Sequence, residues 1–293
     1  MILAAFPAFN EEVSVGSLVL RAKQYVDWVI VIDDGSSDRT AEVARLAGAE
    51  VVSHHVNKGK GAALSSAFVR ARELNADVLV VLDCDGQHDP GEIPGLIKPI
   101  VDGEADIVVG SRFLNSGHSV PRYRRVGQEA LTAATNLVSG HSLTDTQSGY
   151  RAFNKKAIKA FRFSEAGIGV ESEMQLKARE ADLRIVEVPI SCSYDVERAS
   201  KKAPVQHGLE VLAGIVRYIS QRHPLTFFGV PGIIMIIVGV YQGTIVVYRF
   251  NTFGALPIGT ALMTAIFILG GLFALFTGVI LYNTSVMIER LKK

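Results

Sequence analysis

The chain has 293 residues, of which 48% are hydrophobic, and 30 Lys and Arg balance 29 Asp and Glu for a net charge of +1. That balance argues against a nucleic-acid surface built on bulk positive charge, and the length allows one large domain with a smaller addition. Two cysteines, Cys84 and Cys192, offer no disulfide framework, which suits a cytosolic body.

The apolar run Ile2–Phe6 predicts a first strand, followed by the polar "PAFNEE". The start "MILAAF" is short and runs into Pro7 and the Glu11-Glu12 pair, so no secretory signal is expected. Val13–Tyr25 has helical composition and spacing. Trp28–Asp33 predicts a second strand ending in "DDGSSDRT". Asp38 then stands at the start of a helix over Asp38–Gly48, with Gly48 as its stop. Glu50–His54 predicts a third strand and Gly61–Asn75 a helix. The intervening "NKGKGAAL" resembles a phosphate-binding glycine loop but lacks the Walker A order. There is no G-x-G-x-x-G either, so a dinucleotide oxidoreductase has little support. Val78–Asp83 predicts the fourth strand, Glu92–Val101 a helix and Asp106–Gly110 a fifth strand ending in "GSR". This βαβα rhythm predicts an α/β fold with a mainly parallel sheet between helices. The polar clusters fall at the carboxyl ends of the strands, where such sheets bind ligands. Pro121 to Pro189 is expected to mix helices with shorter strands.

Asp83 and Asp85, two apart at the end of an extended strand, lean to the same side. Two close carboxylates repel unless a cation or proton lies between them, and oxygen-only ligands suit Mg²⁺ or Mn²⁺. Gln87 supplies a further oxygen. Asp89 reads differently: with Pro90, Gly91 and Glu92 it matches an N-cap, a first-turn proline and a capping-box glutamate. Cys84 points away from the two aspartates and reads as a packed thiol. Arg112, Arg122, Arg124, Arg125, Arg151 and the run Arg198–Lys202 fall on loops or segment ends, and their concentration suggests phosphate recognition. Of Glu171 and Glu173 in "GVESEMQLKA", one is placed to face a site. His88, His118, His141 and His207 lack metal-ligand spacing and read as structural.

Val205–Ile219 has one apolar helical face and predicts an interfacial or domain-packed helix. No Asp, Glu, Lys or Arg occurs from Leu225 to Tyr248 or from Phe250 to Ile288. About 20 apolar residues span a bilayer core, so two transmembrane helices are predicted, over 225–248 and 258–282. The resulting layout is a catalytic domain over 1–203, a juxtamembrane helix over 204–223 and two spans with a basic tail over 224–293. Lys201, Lys202, Arg217 and Arg222 precede the first span, and Arg290, Lys292 and Lys293 follow the second. The connecting loop has only Arg249. The expectation is a multi-pass protein of the cell membrane, with the catalytic domain and both termini on the cytoplasmic side.

Taken in order, "FPAFNEE", "DDGSSDRT", "DCDGQHDP", "GSR", "DTQSGYRAF" and "VESE" resemble inverting family-2 glycosyltransferases of GT-A fold. Among these, the resemblance is nearest to polyprenyl-phosphate glycosyltransferases such as dolichyl-phosphate mannose and glucose synthases. It implies that Pro7, Phe9, Glu11, Asp33 and Asp34 hold the nucleoside of a nucleotide-sugar donor. It further implies that Asp83, Asp85 and Gln87 hold Mg²⁺ or Mn²⁺ against the diphosphate. Arg112, Arg124 and Arg198, with Lys201 nearby, would grip phosphates of donor or acceptor; Asp85, Arg112 and Arg124 would carry the chemistry. "ERASKK" departs from the usual arrangement with Gly before Ser-Lys. The implied partners are a nucleotide-sugar, a UDP-sugar before GDP-mannose, a polyprenyl or dolichyl phosphate and the membrane, with no nucleic acid; a homo-oligomer stays open. A processive or soluble-acceptor transferase and a non-catalytic membrane scaffold are the competing readings. Against the processive one, Trp28 is the only tryptophan, so no Q-x-x-R-W motif is present.

Overall fold

Strands buried on both faces need continuous apolar side chains, and β1 (Ile2–Ala8), β2 (Trp28–Asp33), β4 (Val78–Val81) and β5 (Ile107–Ser111) supply them. A computed structural model of the chain describes residues 1–114, 128, 129, 131–133, 135, 136, 139–163, 169–192, 216, 220 and 224–291. Among the described residues, β3 (Glu50–Ser53), β6 (Arg151–Asn154) and β7 (Ile185–Pro189) complete one seven-stranded sheet in the order β3-β2-β1-β4-β6-β5-β7. All neighbouring strands are parallel except β6, which runs antiparallel to both β4 and β5. The mainly parallel α/β sheet expected from the sequence is therefore present, with one reversed strand inside it.

Successive side chains of each strand enter opposite layers. Leu3, Ala5, Ile30 and Ile32 pack with α3 (Lys60–Glu73), α5 (Lys155–Ala160) and α6 (Val170–Glu180). Phe68 is the centre of that layer, with the rings of Phe153, Phe161 and Phe163 at 4.9, 5.6 and 5.0 Å. Ala4, Phe6, Val29 and Val31 pack on the other face with α1 (Val15–Ala22), α2 (Thr40–Leu46) and α4 (Ile93–Val101). Cys84 is a packed thiol of this second layer, as expected.

Several ends differ from the sequence reading for local reasons. The fourth ladder stops at Val81 rather than Asp83, although the Leu82 amide still donates to the Ala5 carbonyl at 3.1 Å. Ala5 faces β4, so Pro7, two residues on, faces the same side beyond the last pairing. A proline there removes no ladder hydrogen bond. Asp89 does cap the turn Pro90–Glu92, accepting from the Gly91 amide at 2.7 Å, and it ion-pairs with Arg21. The capping box does not form. Glu92 is itself the residue before α4, and its Oε1 accepts the Ser191 amide at 2.8 Å from the segment after β7. Asp38 accepts the Thr40 amide at 3.0 Å, and Gly48 ends that helical segment at φ +83°.

The chain divides into two compact units, Met1–Gly214 and Ile215–Lys293. In the second, the turn Leu225–Gly229 leads into α7 (Val230–Phe253), and Gly254 at φ +67° closes it before α8 (Ile258–Leu291). Leu225–Phe253 and Ile258–Thr284, with mean hydropathies of 2.1 and 2.3, are long and apolar enough to cross a membrane. Within a hydrocarbon phase helices associate by close packing rather than hydrophobic contrast. α7 and α8 accordingly meet backbone to backbone: a Cβ on Gly232 would lie 2.7 Å from the Gly271 carbonyl, and one on Gly271 2.6 Å from that of Gly232. The juxtamembrane helix expected over 204–223 lies outside the described residues except for Val216 and Ser220. Gly271→Leu should lower the thermal midpoint of the full-length protein in detergent, at a cost of about 1–3 kcal/mol for overpacking. Gly259→Leu, where a Cβ meets nothing within 4 Å, should leave it unchanged.

Candidate active site

The carboxyl ends of β1, β2, β4 and β5 lie along one edge of the sheet. Because β6 is reversed, the chain that enters it reaches this edge too, with Arg151 opposite both Val81 and Val109. Asp83 follows β4 with its side chain 28% exposed, and the Lys60 ammonium lies 2.6 Å from its Oδ1. The same ammonium is 2.8 Å from Glu171 Oε1 on the first turn of α6. Glu171 is thus the acid of "VESE" that faces the site, while Glu173 pairs with Lys177 at 2.9 Å.

Burial alone would raise the Asp83 pKa, but Lys60, His88 and Arg112 outweigh it and hold the carboxyl below its usual value. Glu171 is lowered in the same way, burial being outweighed mainly by Lys60. Lys60 is raised, since the pull of Asp83 and Glu171 exceeds the cost of burying it. Among the described residues Asp85 forms no ion pair, and burial followed by the charge of Asp83 raises its pKa despite the pull of Lys60. Its Oδ1 accepts the Gln87 amide at 3.0 Å, in a turn that Gly86 allows at φ +80°. The two carboxylates thus differ, Asp83 being met by Lys60 and Asp85 being raised by burial and by Asp83. No group of three or more His, Cys, Asp or Glu able to hold a metal occurs among the described residues. Two carboxylates and an amide oxygen still fit a hard divalent ion that takes its other ligands from phosphate and water. That donor chemistry agrees with the Asp83, Asp85 and Gln87 set.

Gly149 makes room for Asp83. A Cβ there would lie 2.2 Å from Asp83 Oδ2 and 2.7 Å from its Cγ. Next to it, Arg112 grips Asp145 with two hydrogen bonds, Nε to Oδ2 at 2.7 Å and Nη2 to Oδ1 at 2.8 Å. Asp145 is fully buried, and Glu187 on β7 accepts the amides of Thr144 and Asp145 at 2.7 and 2.9 Å. Arg112 is thereby held at the edge with a fixed orientation.

Arg151 does not join the phosphate-recognising set suggested by the sequence. It is 2% exposed and donates to the carbonyls of Ser148, Thr146 and Glu171 at 2.8, 2.6 and 3.1 Å. Its charge organises the 146–151 segment from inside. His88 is also buried, with its ring 5.3 Å from that of Tyr150, and burial pushes its pKa down to about 4. This neutral, enclosed ring agrees with the structural reading of that histidine.

On the β1 and β2 side, loops are laced together. Asn10 Oδ1 accepts the Ser37 amide at 2.8 Å, the Glu11 amide donates to Thr40 Oγ1 at 2.8 Å, and Ser14 Oγ donates to the Cys84 carbonyl at 2.6 Å. Pro7 and Asp33 thus sit at the ends of β1 and β2, and Phe9 and Glu11 on the loop that follows β1, which Ser14 ties to the Asp83–Asp85 segment. Asp33 is buried and accepts the Ser36 amide at 3.1 Å. Asp34 is also buried; its Oδ1 takes the Lys58 amide and His54, and its Oδ2 takes the Gly59 amide. With both oxygens engaged, it orders the turn ahead of α3. Arg124, Arg198 and Lys201 lie outside the described residues. Sequence reasoning gave no role to Lys60 or Asp145. The glycine-flanked lysine of "NKGKG" was the available signal for the first.

The model of the family described as Glycosyl transferase family 2 matches residues 4–162. A UDP-N-acetylglucosamine–dolichyl-phosphate N-acetylglucosaminyltransferase of Methanococcus voltae is 32% identical, over 72% of this chain and 93% of its own. An undecaprenyl-phosphate mannosyltransferase of Micrococcus luteus is 31% identical, over 74% and 93%. Glucosyl-3-phosphoglycerate synthase from Mycobacterium tuberculosis, solved with Mn²⁺, UDP-glucose and phosphoglyceric acid, has a similar fold. It is 25% identical with a TM-score of 0.58, covering 75% of this chain and 79% of that one.

Gly149→Ala should force Asp83 or the 146–149 segment to move, lowering stability by about 1–3 kcal/mol as overpacking does. The thermal midpoint of the full-length protein measures it, with Gly95→Ala, in open space on α4, as the control that does not lower it.

Proposed function

The chain belongs to glycosyl transferase family 2, and on that premise we propose that it transfers a hexose from a nucleotide-sugar to a polyprenyl phosphate at a membrane surface, with inversion at the sugar carbon. The observation that carries this reading is the anion-rich Asp83–Asp85 pair at the end of β4, in a chain that also has two helices able to cross a membrane. The names of the Methanococcus and Micrococcus relatives support the lipid-phosphate acceptor, and the former supports a UDP-sugar as donor. GDP-mannose is the second choice. A dolichyl or undecaprenyl chain would serve equally as the lipid.

Asp83, Asp85 and Gln87 would hold Mg²⁺ or Mn²⁺, which when bound offsets the negative charge of the donor diphosphate. The neighbouring Pro7, Phe9, Glu11 and Asp33 would take the nucleoside, with Asp34 acting through the turn it orders. The acceptor phosphate, with a second pKa near 6, is already largely anionic at neutral pH and needs little help from a base. One of its oxygens forms the new bond to the anomeric carbon as the bond to the diphosphate breaks, and the nucleoside diphosphate leaves with the electron pair. The protein's main task is to bring two anions together and fix their geometry. Arg112, aligned by Asp145, together with Arg124, Arg198 and Lys201, would grip their phosphates. The excess of Lys and Arg on the flanks of the apolar helices, against Arg249 alone between them, supports a cytoplasmic catalytic unit and cytoplasmic termini.

Purified full-length protein in detergent, given Mg²⁺ or Mn²⁺, polyprenyl phosphate and labelled UDP-glucose, UDP-N-acetylglucosamine or GDP-mannose, should produce labelled lipid. Chelation by EDTA or Asp85→Ala should reduce the rate at least about a hundredfold, as loss of a key electrostatic group does. Absence of labelled lipid with every donor overturns the reading.

A further inference from the structure

We propose that His54 is a positioning residue that, through Asp34, fixes the 57–60 turn and so aims Lys60 at the Asp83 carboxylate. His54 directly follows β3, and its amide donates to the Asp33 carbonyl at 2.8 Å, extending the β2–β3 pairing by one residue. Its ring nitrogens face two different elements. Nδ1 is 2.7 Å from Asp34 Oδ1, and Nε2 is 2.9 Å from Ser66 Oγ on α3. A neutral ring protonated on Nδ1 satisfies both, donating to the carboxylate and accepting from the hydroxyl. The two side chains are nearly enclosed, His54 at 10% and Asp34 at 5% exposure.

The carboxylate that His54 holds also shapes the turn. Asp34 accepts the Lys58 amide at 3.0 Å and the Gly59 amide at 2.7 Å. Gly59 takes φ +90° and α3 begins at the next residue, Lys60. Backbone meets backbone here as well: a Cβ on Gly35, at φ +73°, would lie 2.6 Å from the Asn57 amide nitrogen and the Val56 carbonyl carbon. With no side chain in the way, Asp34 comes close enough to take both amides. From the last of them the chain passes directly to the ammonium that sits 2.6 Å from Asp83 and 2.8 Å from Glu171. The imidazole is thus a brace between the β2 end and α3, with the turn held across it. The order carboxylate, imidazole, hydroxyl also occurs where a serine is activated for attack. Here the carboxylate is shared with two backbone amides, which suits holding a loop.

The atom that matters is Nδ1, and side-chain amides separate it from Nε2. An Asn amide reaches the place of Nδ1, and a Gln amide reaches that of Nε2. In hydrogen exchange read by mass spectrometry on the full-length protein, His54→Ala and His54→Gln should speed exchange of the peptide over 55–60 about tenfold. His54→Asn should stay near wild type, as expected when a hydrogen bond to a charged group is kept or lost. Unchanged exchange in His54→Ala, or His54→Gln as well protected as His54→Asn, overturns the proposal. Should His54→Ala fail to fold, the Asn and Gln pair decides alone. The consequence for the site rests on the proposed donor reading and has its own readout. UDP with Mn²⁺ should bind about tenfold more weakly to His54→Gln than to His54→Asn by calorimetry, and equal affinities overturn that link. If wild-type protein binds neither UDP nor GDP with Mn²⁺, the donor reading fails while the exchange comparison still decides the clamp.

Discussion

The placement of Lys60 between Asp83 and Glu171 is the constraint on which the rest of this edge depends. Enclosed charges are costly, and a buried ion pair is weak evidence of stability because desolvation offsets most of its attraction. A lysine shared by two carboxylates, beside a third at Asp85, is a poor way to stabilise a core. It is a good way to hold three carboxylates near one another at the end of a strand. The ammonium favours the ionised forms of Asp83 and Glu171, whereas Asp85 is raised by burial and by its neighbour. On the proposed reading, a divalent ion bound with phosphates would meet that remaining charge.

The sheet topology brings these groups together from distant sequence. β4 supplies the aspartates, α3 the lysine and α6 the glutamate. Reversed β6 brings Gly149 against Asp83, and β7 brings Glu187 to the amides that position Asp145 and hence Arg112. Gly149 and inward-turned Arg151 make the close packing at this edge possible. Arg151 donates to three carbonyls, those of Thr146 and Ser148 ahead of β6 and that of Glu171 on α6, which is how a buried guanidinium is tolerated.

Much of this was legible in the sequence where local rules dominate. Parallel strands enclosed on both faces read as apolar runs, so β1 to β5 were found within one or two residues. The Asp83–Asp85 spacing reads as an extended strand end, whereas the ladder stops at Val81 and a turn follows through Gly86. Asp89 was correctly separated from them as a cap, but Glu92 was not: its partner is Ser191, far along the chain, and no local pattern contains that contact. β6 falls in the Pro121–Pro189 region expected to hold short strands, but its bounds and reversed direction were not legible because "RAFN" is short and begins with an arginine that usually marks a surface. Lys60 was missed because its two partners lie on β4 and α6, so its role exists only once the sheet has formed. The motif assigns Asp34 to a ligand, and no local pattern contains its bonds to the amides of Lys58 and Gly59.

The reversed strand has a consequence for how the chain acquires its shape. β4 finds β1 within the first 81 residues, but its other edge is met only by Arg151–Asn154. β5 is likewise made well before either of its neighbours, β6 and β7. During synthesis, two fully buried strands of the sheet therefore wait with unpaired backbone edges until much later residues emerge. Open edges of that kind invite pairing with other chains. Pairing so distant in sequence also slows folding. The late, short and rather polar β6 is thus the keystone of the sheet, and the catalytic edge can assemble only after it has been inserted.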